Sequence, residues 1–337
     1  MTTTDNSNIS SSLSIEDIKN GFKNIQNKIT DFLVHDTAQT PLEDIWDYHK
    51  GSGGGITRVW EGDNDESFYQ QLEQQQGNTH YDTIEKGGVN FSCIEGANLP
   101  SAAATQFNIP LSTPFVATGV SLVIHPYNPH VPTIHMNVRF FQAGDLWWFG
   151  GGIDVTPVYP QLPQVIRYHQ RLKTVCDEFG SATNGTTYDL GKSECDTYFF
   201  LKHRNETRGV GGLFYDHIKG DGSAQAKATA WRFIEALGLA FVDLYAPFLQ
   251  GNKAITYTKA QREFQLYRRS RYVEFNLLFD RGTKFGIQSE GRIESIFMSL
   301  PAVAKWKYNY TPTPDTPEHK LTDYFLRPQD WINMDIQ

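Results

Sequence analysis

Apolar positions along the chain recur at two periods, and the order of those periods lays out the fold. After a small, polar stretch (residues 1 to 14) that predicts a disordered tail, Ile15, Ile18, Phe22, Ile25, Ile29, Phe32 and Leu33 recur at helical spacing, with Ser14 as N-cap and Asp17 three residues on. A one-sided helix of this kind is expected to cover a sheet face. Strand-like runs follow at 85–96, 116–125 and 134–141, the last two separated by the stiff PYNPHVPT, and Trp147, Trp148 and Phe149 open another after a tight AGD turn. Meandering connections predict an antiparallel sheet. Helical period returns over 161–179, over 224–246, which Pro247 is expected to end, and from about 258 through REFQLYRRSR. YVEFNLLFDRGTKFG then alternates Val273, Phe275, Leu277 and Phe279 against Glu274, Asn276 and Asp280, predicting a strand and a turn. ANLPSAAATQ and ATNGTTYDLGKSE read as loops, 62–83 as a polar surface insertion and PQDWINMDIQ as an exposed tail. No linker or internal repeat divides residues 15–337, so one domain is expected.

Alternation within the strands sorts their side chains. Ile134, Met136, Val138 and Phe140 share one face, His135, Asn137 and Arg139 the other; Val120, Leu122 and Ile124 face away from Ser121 and His125. Paired as a hairpin, the two runs gather a hydroxyl, two imidazoles, an amide and a guanidinium on one polar face. Arg139 suits a carboxylate and His135 a proton transfer. A sheet face open to water alternates in the same way. Five polar groups coincide here, however, and Gly150 to Gly152 follow with Asp154 just behind, which favours a site. His169 lies on the inward stripe of its helix and is better explained as a satisfied core histidine. Lys202, His203, Arg204 and Arg208 form either an anion-binding rim or a salt-bridge network, and the residues alone leave both open.

Composition narrows the function classes. A net charge of −8 without a basic stretch argues against general nucleic-acid binding, so an anionic ligand would need locally placed arginines. Three cysteines with no C-x-x-C pair indicate neither a disulfide framework nor a thiolate zinc site. No run of about 18 apolar residues predicts a membrane span, and no signal-like segment opens the chain, so a cytoplasmic location is expected.

The runs GVSLVIHPYNPHVPTIHMNVRFF, WWFGGGIDVTP, YFFLKHRNETRGVGGLFYD and YVEFNLLFDRGTKFG resemble, in order and across nearly all of residues 15–333, the oxygen-dependent coproporphyrinogen III oxidase family. The resemblance implies an α+β fold, a large antiparallel sheet flanked by helices on both faces, in a homodimer with its dimerisation segment at about 272–307. It implies oxidative decarboxylation of two propionates of coproporphyrinogen III to vinyl groups, with molecular oxygen as co-substrate and no cofactor. His135 matches the position of the proton donor and Asp154 a carboxylate placed in the site. Ser121, Asn137, Val138, Arg139, Gly291 and Arg292 match substrate-binding positions, and Asp280 and Arg281 are further candidates. Arg139 and Arg292 suit the substrate's carboxylates, while Asp154, which would repel them, suits pyrrole N–H groups. Two rival readings stay open. Some relatives are described with a divalent metal at positions matching His125, His135, His169 and His203, although the spacing lacks a local metal signature such as H-E-x-x-H. A non-catalytic tetrapyrrole-binding protein on the same sheet would bind without consuming oxygen.

Overall fold

The computed structural model describes residues 13–62, 83–180, 183, 186–288 and 291–335. Most of the expected polar tail and of the 62–83 insertion lies outside the described residues. Helix α1 (Ile15–Thr37) opens on a complete capping box: the Ser14 hydroxyl accepts from the Asp17 amide at 3.1 Å, and the Asp17 carboxylate accepts from the Ser14 amide at 2.9 Å. Its expected apolar stripe, from Ile18 to Leu33, is buried.

Among the described residues there are nine strands: β1 (Leu42–Asp47), β2 (Ser52–Glu61), β3 (Ile84–Gly96), β4 (Phe115–Pro126), β5 (Thr133–Ala143), β6 (Leu146–Thr156), the short β7 (Phe200–Leu201) and β8 (Glu206–Thr207), and β9 (Gly211–Ile218). Seven of them form one antiparallel sheet in the order β1-β2-β3-β4-β5-β6-β9. One face of this sheet, with Val120, Met136, Val138, Phe149 and Ile153, joins α1, α3 (Leu162–Val175), α5 (Ala224–Leu239) and α6 (Phe241–Asn252) in a single core. Each such side chain, fully buried, contributes about 1.5–3 kcal/mol. The other face is covered only at its ends. Helix α2 (Ser101–Phe107) packs Ala103 and Ala104 near Phe115, Phe141 and Trp148 at one end. Helix α7 (Lys259–Leu278), with α8 (Arg281–Gln288) and α9 (Ile293–Phe297) after it, covers the other. Helix α4 (Tyr188–Tyr198) closes the β9 edge. Helices therefore flank the sheet on both faces, as the resemblance implies.

Several local expectations are corrected. YVEFNLLFD is not a strand but the end of α7: Arg268, Tyr272, Phe275 and Asn276 are buried at helical spacing, whereas Leu277 and Leu278 face solvent. Its alternation was compatible with both periods, and burial against the sheet selected the helix. The two expected loops contribute α2 and α4, the latter capped by the Thr187 hydroxyl. The 224–246 helix is two helices parted at Ala240, and Pro247 lies inside α6, where it withdraws one amide while Phe241, Leu244, Phe248 and Leu249 stay buried. The 224–252 segment is long and apolar enough to cross a membrane, yet its larger side chains belong to this core. The expected exposed tail carries Trp331, 1% exposed, whose indole donates to Val210 O at 3.0 Å and whose ring stacks on Phe325.

Helix α7 is pinned to the sheet by a buried charge cluster. Glu85 on β3 meets Arg262 Nη2 at 2.7 Å and Arg269 Nη2 at 2.7 Å. Burial by itself would raise the Glu85 carboxyl, but the two guanidiniums outweigh it and pull it from 4.5 down to about 2. A carboxyl titrating lower in the folded chain stabilises fully above its unfolded value and loses that contribution as pH falls toward 2, on the order of 3 kcal/mol here. Melting temperature followed from neutral to acid pH should therefore fall less steeply below about pH 4.5 in Glu85→Gln than in the wild type. Parallel acid limbs would show that the clamp carries no such linkage.

Candidate active site

Strand register gathers the polar side chains of the half-covered face in three neighbouring rows. Val123, His135 and Asp154 form one; Asn90, Ser121, Asn137 and Gly152 the next; Gly119, Arg139 and Gly150 the third. Glycines leave the floor between these groups as bare main chain. At Gly150 even a methyl group would fall 2.4 Å from Asp216 O and 3.1 Å from Arg139 Nη2.

At the base of the first row Asp154 is 2% exposed and fully engaged. Its Oδ1 accepts from His135 Nδ1 at 2.8 Å, and Arg208 Nη2 donates to its two oxygens at 2.7 and 2.9 Å. A carboxylate can only accept, so Nδ1 carries a proton, and for Nε2 no protein hydrogen bond is found among the described residues. Burial would raise the Asp154 carboxyl, yet the Arg208 charge and the His135 hydrogen bond hold it below the ordinary carboxylate range. Arg208 is equally enclosed. Phe199, Tyr272 and Phe275 place their rings 4.0, 4.7 and 4.8 Å from its guanidinium carbon, and Nη1 donates to Asn276 Oδ1 at 3.3 Å. Within the chain, Asp154 is thus held by His135 and Arg208.

Arg139 forms a second centre two rows along the floor from Asp154. Nη1 donates to Asn137 Oδ1 at 2.9 Å, Nη2 donates to Asp216 O at 3.2 Å and Oδ1 at 3.3 Å, and the guanidinium lies over Trp148. Burial lowers Arg139 below the usual guanidinium range, against the pull of Asp216. From the start of α8, Arg281 Nη1 donates to the other Asp216 oxygen at 2.7 Å. The Tyr198 hydroxyl donates to Asp280 Oδ1 at 2.8 Å, and its ring stacks on Phe214 at 4.2 Å.

His135, Asp154, Ser121, Asn137, Arg139, Asp280 and Arg281 thus converge, and other candidates do not. Val138 points into the apolar core at 0% exposure, because adjacent strand residues face opposite sides, so only its main chain, already paired with Gly151 and Val120, stands near the site. Arg292 sits at the β1 edge, paired with Asp44 and lying over Trp46, at the far end of the row that holds Asn137. Four strand spacings separate Asp44 from Asn137, roughly 19 Å. The Gly291 amide is taken by Gly286 O at 2.7 Å.

The four histidines of the metal reading do not gather, and no group of three potential metal ligands occurs among the described residues. His125, 0% exposed, has Nε2 2.9 Å from Ser299 O and lies edge-on to Tyr272. His169 is the expected core histidine, held between Val210 O and the Tyr188 hydroxyl. His203 lies against Glu274. Arg204 pairs with Glu274 too, and Arg268 with Glu206, so the cavity of about 290 Å³ that Arg204, Arg268, Arg271 and Arg327 line is walled by an ion-pair network. Of the basic cluster only Arg208 reaches the candidate site. Tyr198, Asp216, Tyr272 and Asn276 went unread as site residues, since nothing in local spacing brings β9, α4 and α7 to the same rows.

Paired guanidiniums beside a buried carboxylate that holds an imidazole suit a site for an anionic ligand on which protons move. The comparisons are more specific. A family model, Coproporphyrinogen III oxidase, matches residues 17–331. The oxygen-dependent coproporphyrinogen-III oxidase of Dictyostelium discoideum is 66% identical over 320 residues, 94% of this chain and 95% of that protein. The chain belongs to the coproporphyrinogen III oxidase family.

Proposed function

We propose that this protein is an oxygen-dependent oxidoreductase of haem biosynthesis that converts two propionates of coproporphyrinogen III to vinyl groups. For each propionic side chain, a β-hydrogen leaves with its electron pair, the carboxyl departs as carbon dioxide, and molecular oxygen takes up two electrons and two protons to become hydrogen peroxide. The observation that carries this reading, beside the family match, is the Asp154–His135–Arg208 cluster standing one row from Asn137 and two from Arg139 on a glycine-paved floor.

Each group has a role in that chemistry. Arg139 and Arg281 receive a propionate through charge-assisted hydrogen bonds, with Ser121 and Asn137 beside them. His135 moves the proton, its Nδ1–H fixed by Asp154. Asp154 is a positioning residue: it orients His135 and balances Arg208, so that the electron-rich pyrroles face a neutral ion pair. Arg292, at the β1 end of the same face, suits a more distant carboxylate of the macrocycle. Molecular oxygen is the only co-substrate in this reading, which calls on no flavin or metal. Purified coproporphyrinogen III should be consumed in air and not anaerobically, with one peroxide formed per vinyl group and no loss of rate in chelator-treated protein. Turnover without oxygen, or binding with no turnover, would sink the proposal.

A homodimer in the cytoplasm belongs to the same proposal. Leu42 and Ile45 on the edge strand β1, with Leu277, Leu278, Phe285, Ile287 and Ile293 in the expected 272–307 segment, expose apolar side chains that a second copy would cover. Sedimentation would then report about twice 38.3 kDa. The three cysteines, free and buried, suit a reducing compartment, and cell fractionation tests that placement.

A further inference from the structure

Among the described residues, Asp216 is the one carboxylate paired with both Arg139 and Arg281. It comes from β9, whereas Arg139 comes from β5 and Arg281 from the start of α8. Arg139 Nη2 reaches Oδ1 at 3.3 Å, and Arg281 Nη1 reaches Oδ2 at 2.7 Å. This bridging of two guanidiniums by two carboxylate oxygens is the geometry in which an arginine pair would hold a substrate carboxylate.

Both arginines have contacts besides Asp216. Arg139 is also held by Asn137 Oδ1, by the main-chain carbonyl of residue 216 and by the Trp148 ring. Arg281 is held through its own amide on the Tyr198 oxygen at 3.0 Å, with its guanidinium over the Tyr198 and Phe214 rings. The nearest other acid, Asp280, is committed to the Tyr198 hydroxyl and to the Thr283 amide at 2.6 Å. What Asp216 adds is therefore chiefly a negative charge and a pair of acceptor oxygens at the point where a propionate would bind.

We propose that Asp216 is a resident carboxylate that competes with substrate and product carboxylates for Arg139 and Arg281 and so restrains their hold on anions. The inference rests on the reading that this arginine pair receives a propionate. The competition lowers affinity for every carboxylate ligand that this arginine pair receives.

Asp216→Asn keeps the shape and removes the charge. It is expected to lower KM for coproporphyrinogen III, and the inhibition constant of a simple tricarboxylate such as citrate, by about two- to fivefold, the range a partly exposed charge pair commands. Asp216→Glu should restore wild-type values, and the change should fade in high salt. A merely structural ion pair would give the opposite: KM raised and melting temperature lowered. Unchanged or raised KM and inhibition constants in a folded Asp216→Asn protein overturn the inference, and Asp216→Ser provides the same reading if the asparagine variant does not fold. Arg139→Gln separates the two layers. If it leaves KM untouched, the propionate reading itself fails; if it raises KM while Asp216→Asn does not lower it, only the competition by Asp216 fails.

Discussion

Asp154→Asn is expected to destabilise the protein by about 3–5 kcal/mol and to reduce turnover together with it, because it strands the charge of Arg208 where both partners are 2% exposed. Three aromatic rings enclose that guanidinium, Asn276 offers it one neutral acceptor, and among the described residues Asp154 is the only acid paired with it. The same change frees the His135 ring from its proton-fixing partner. Thermal melts and turnover of Asp154→Asn, Arg208→Gln and the double variant separate the two consequences. Removing both charges should return much of the stability, since neither is then left unpaired, while turnover stays low. A single variant that melts with the wild type would show that the pair is not the electrostatic base of the site.

His135→Gln should behave in the opposite way, with a melting temperature near that of the wild type and a kcat lower by about 10²–10⁴-fold at little change in KM. The imidazole is 22% exposed and meets its surroundings through one hydrogen bond to Asp154 and an edge contact with Phe199, so its loss opens no large cavity. Glutamine can still accept or donate one hydrogen bond but cannot carry a proton between pH 5 and 8, which isolates the transfer from the positioning. Rapid kinetics under air decide the matter. A kcat within about threefold of the wild type would remove His135 from the proton path, since general acid–base catalysis contributes far more than that.

How far the sequence could be read varied with the range of the interaction that decides each element. Helix α1 was legible in its N-cap and its apolar stripe, because the residues of each lie within a few positions of one another. The end of α7 was not: its alternation fits two periods, and the choice was made by Glu85 clamping Arg262 and Arg269 and by the burial of Tyr272 and Phe275 beside Arg208, contacts that join segments far apart in the chain. Trp331 was misread for the same reason, as polar neighbours suggested a tail while its burial depends on Val210, Phe325 and His169.

By itself the sequence determined which groups share the polar face, since period-2 alternation is imposed by strand geometry and the close spacing of β4, β5 and β6 allows only a meander. Its long runs of resemblance determined the family. Only the tertiary structure decided which of those groups work together. It buried Asp154 between His135 and Arg208, turned Val138 into the core, placed Arg292 at the far edge with Asp44, and brought Asp216 from β9 onto Arg139 and Arg281. Partner choice of this kind depends on sheet order and helix packing, which are long-range properties that no local spacing records.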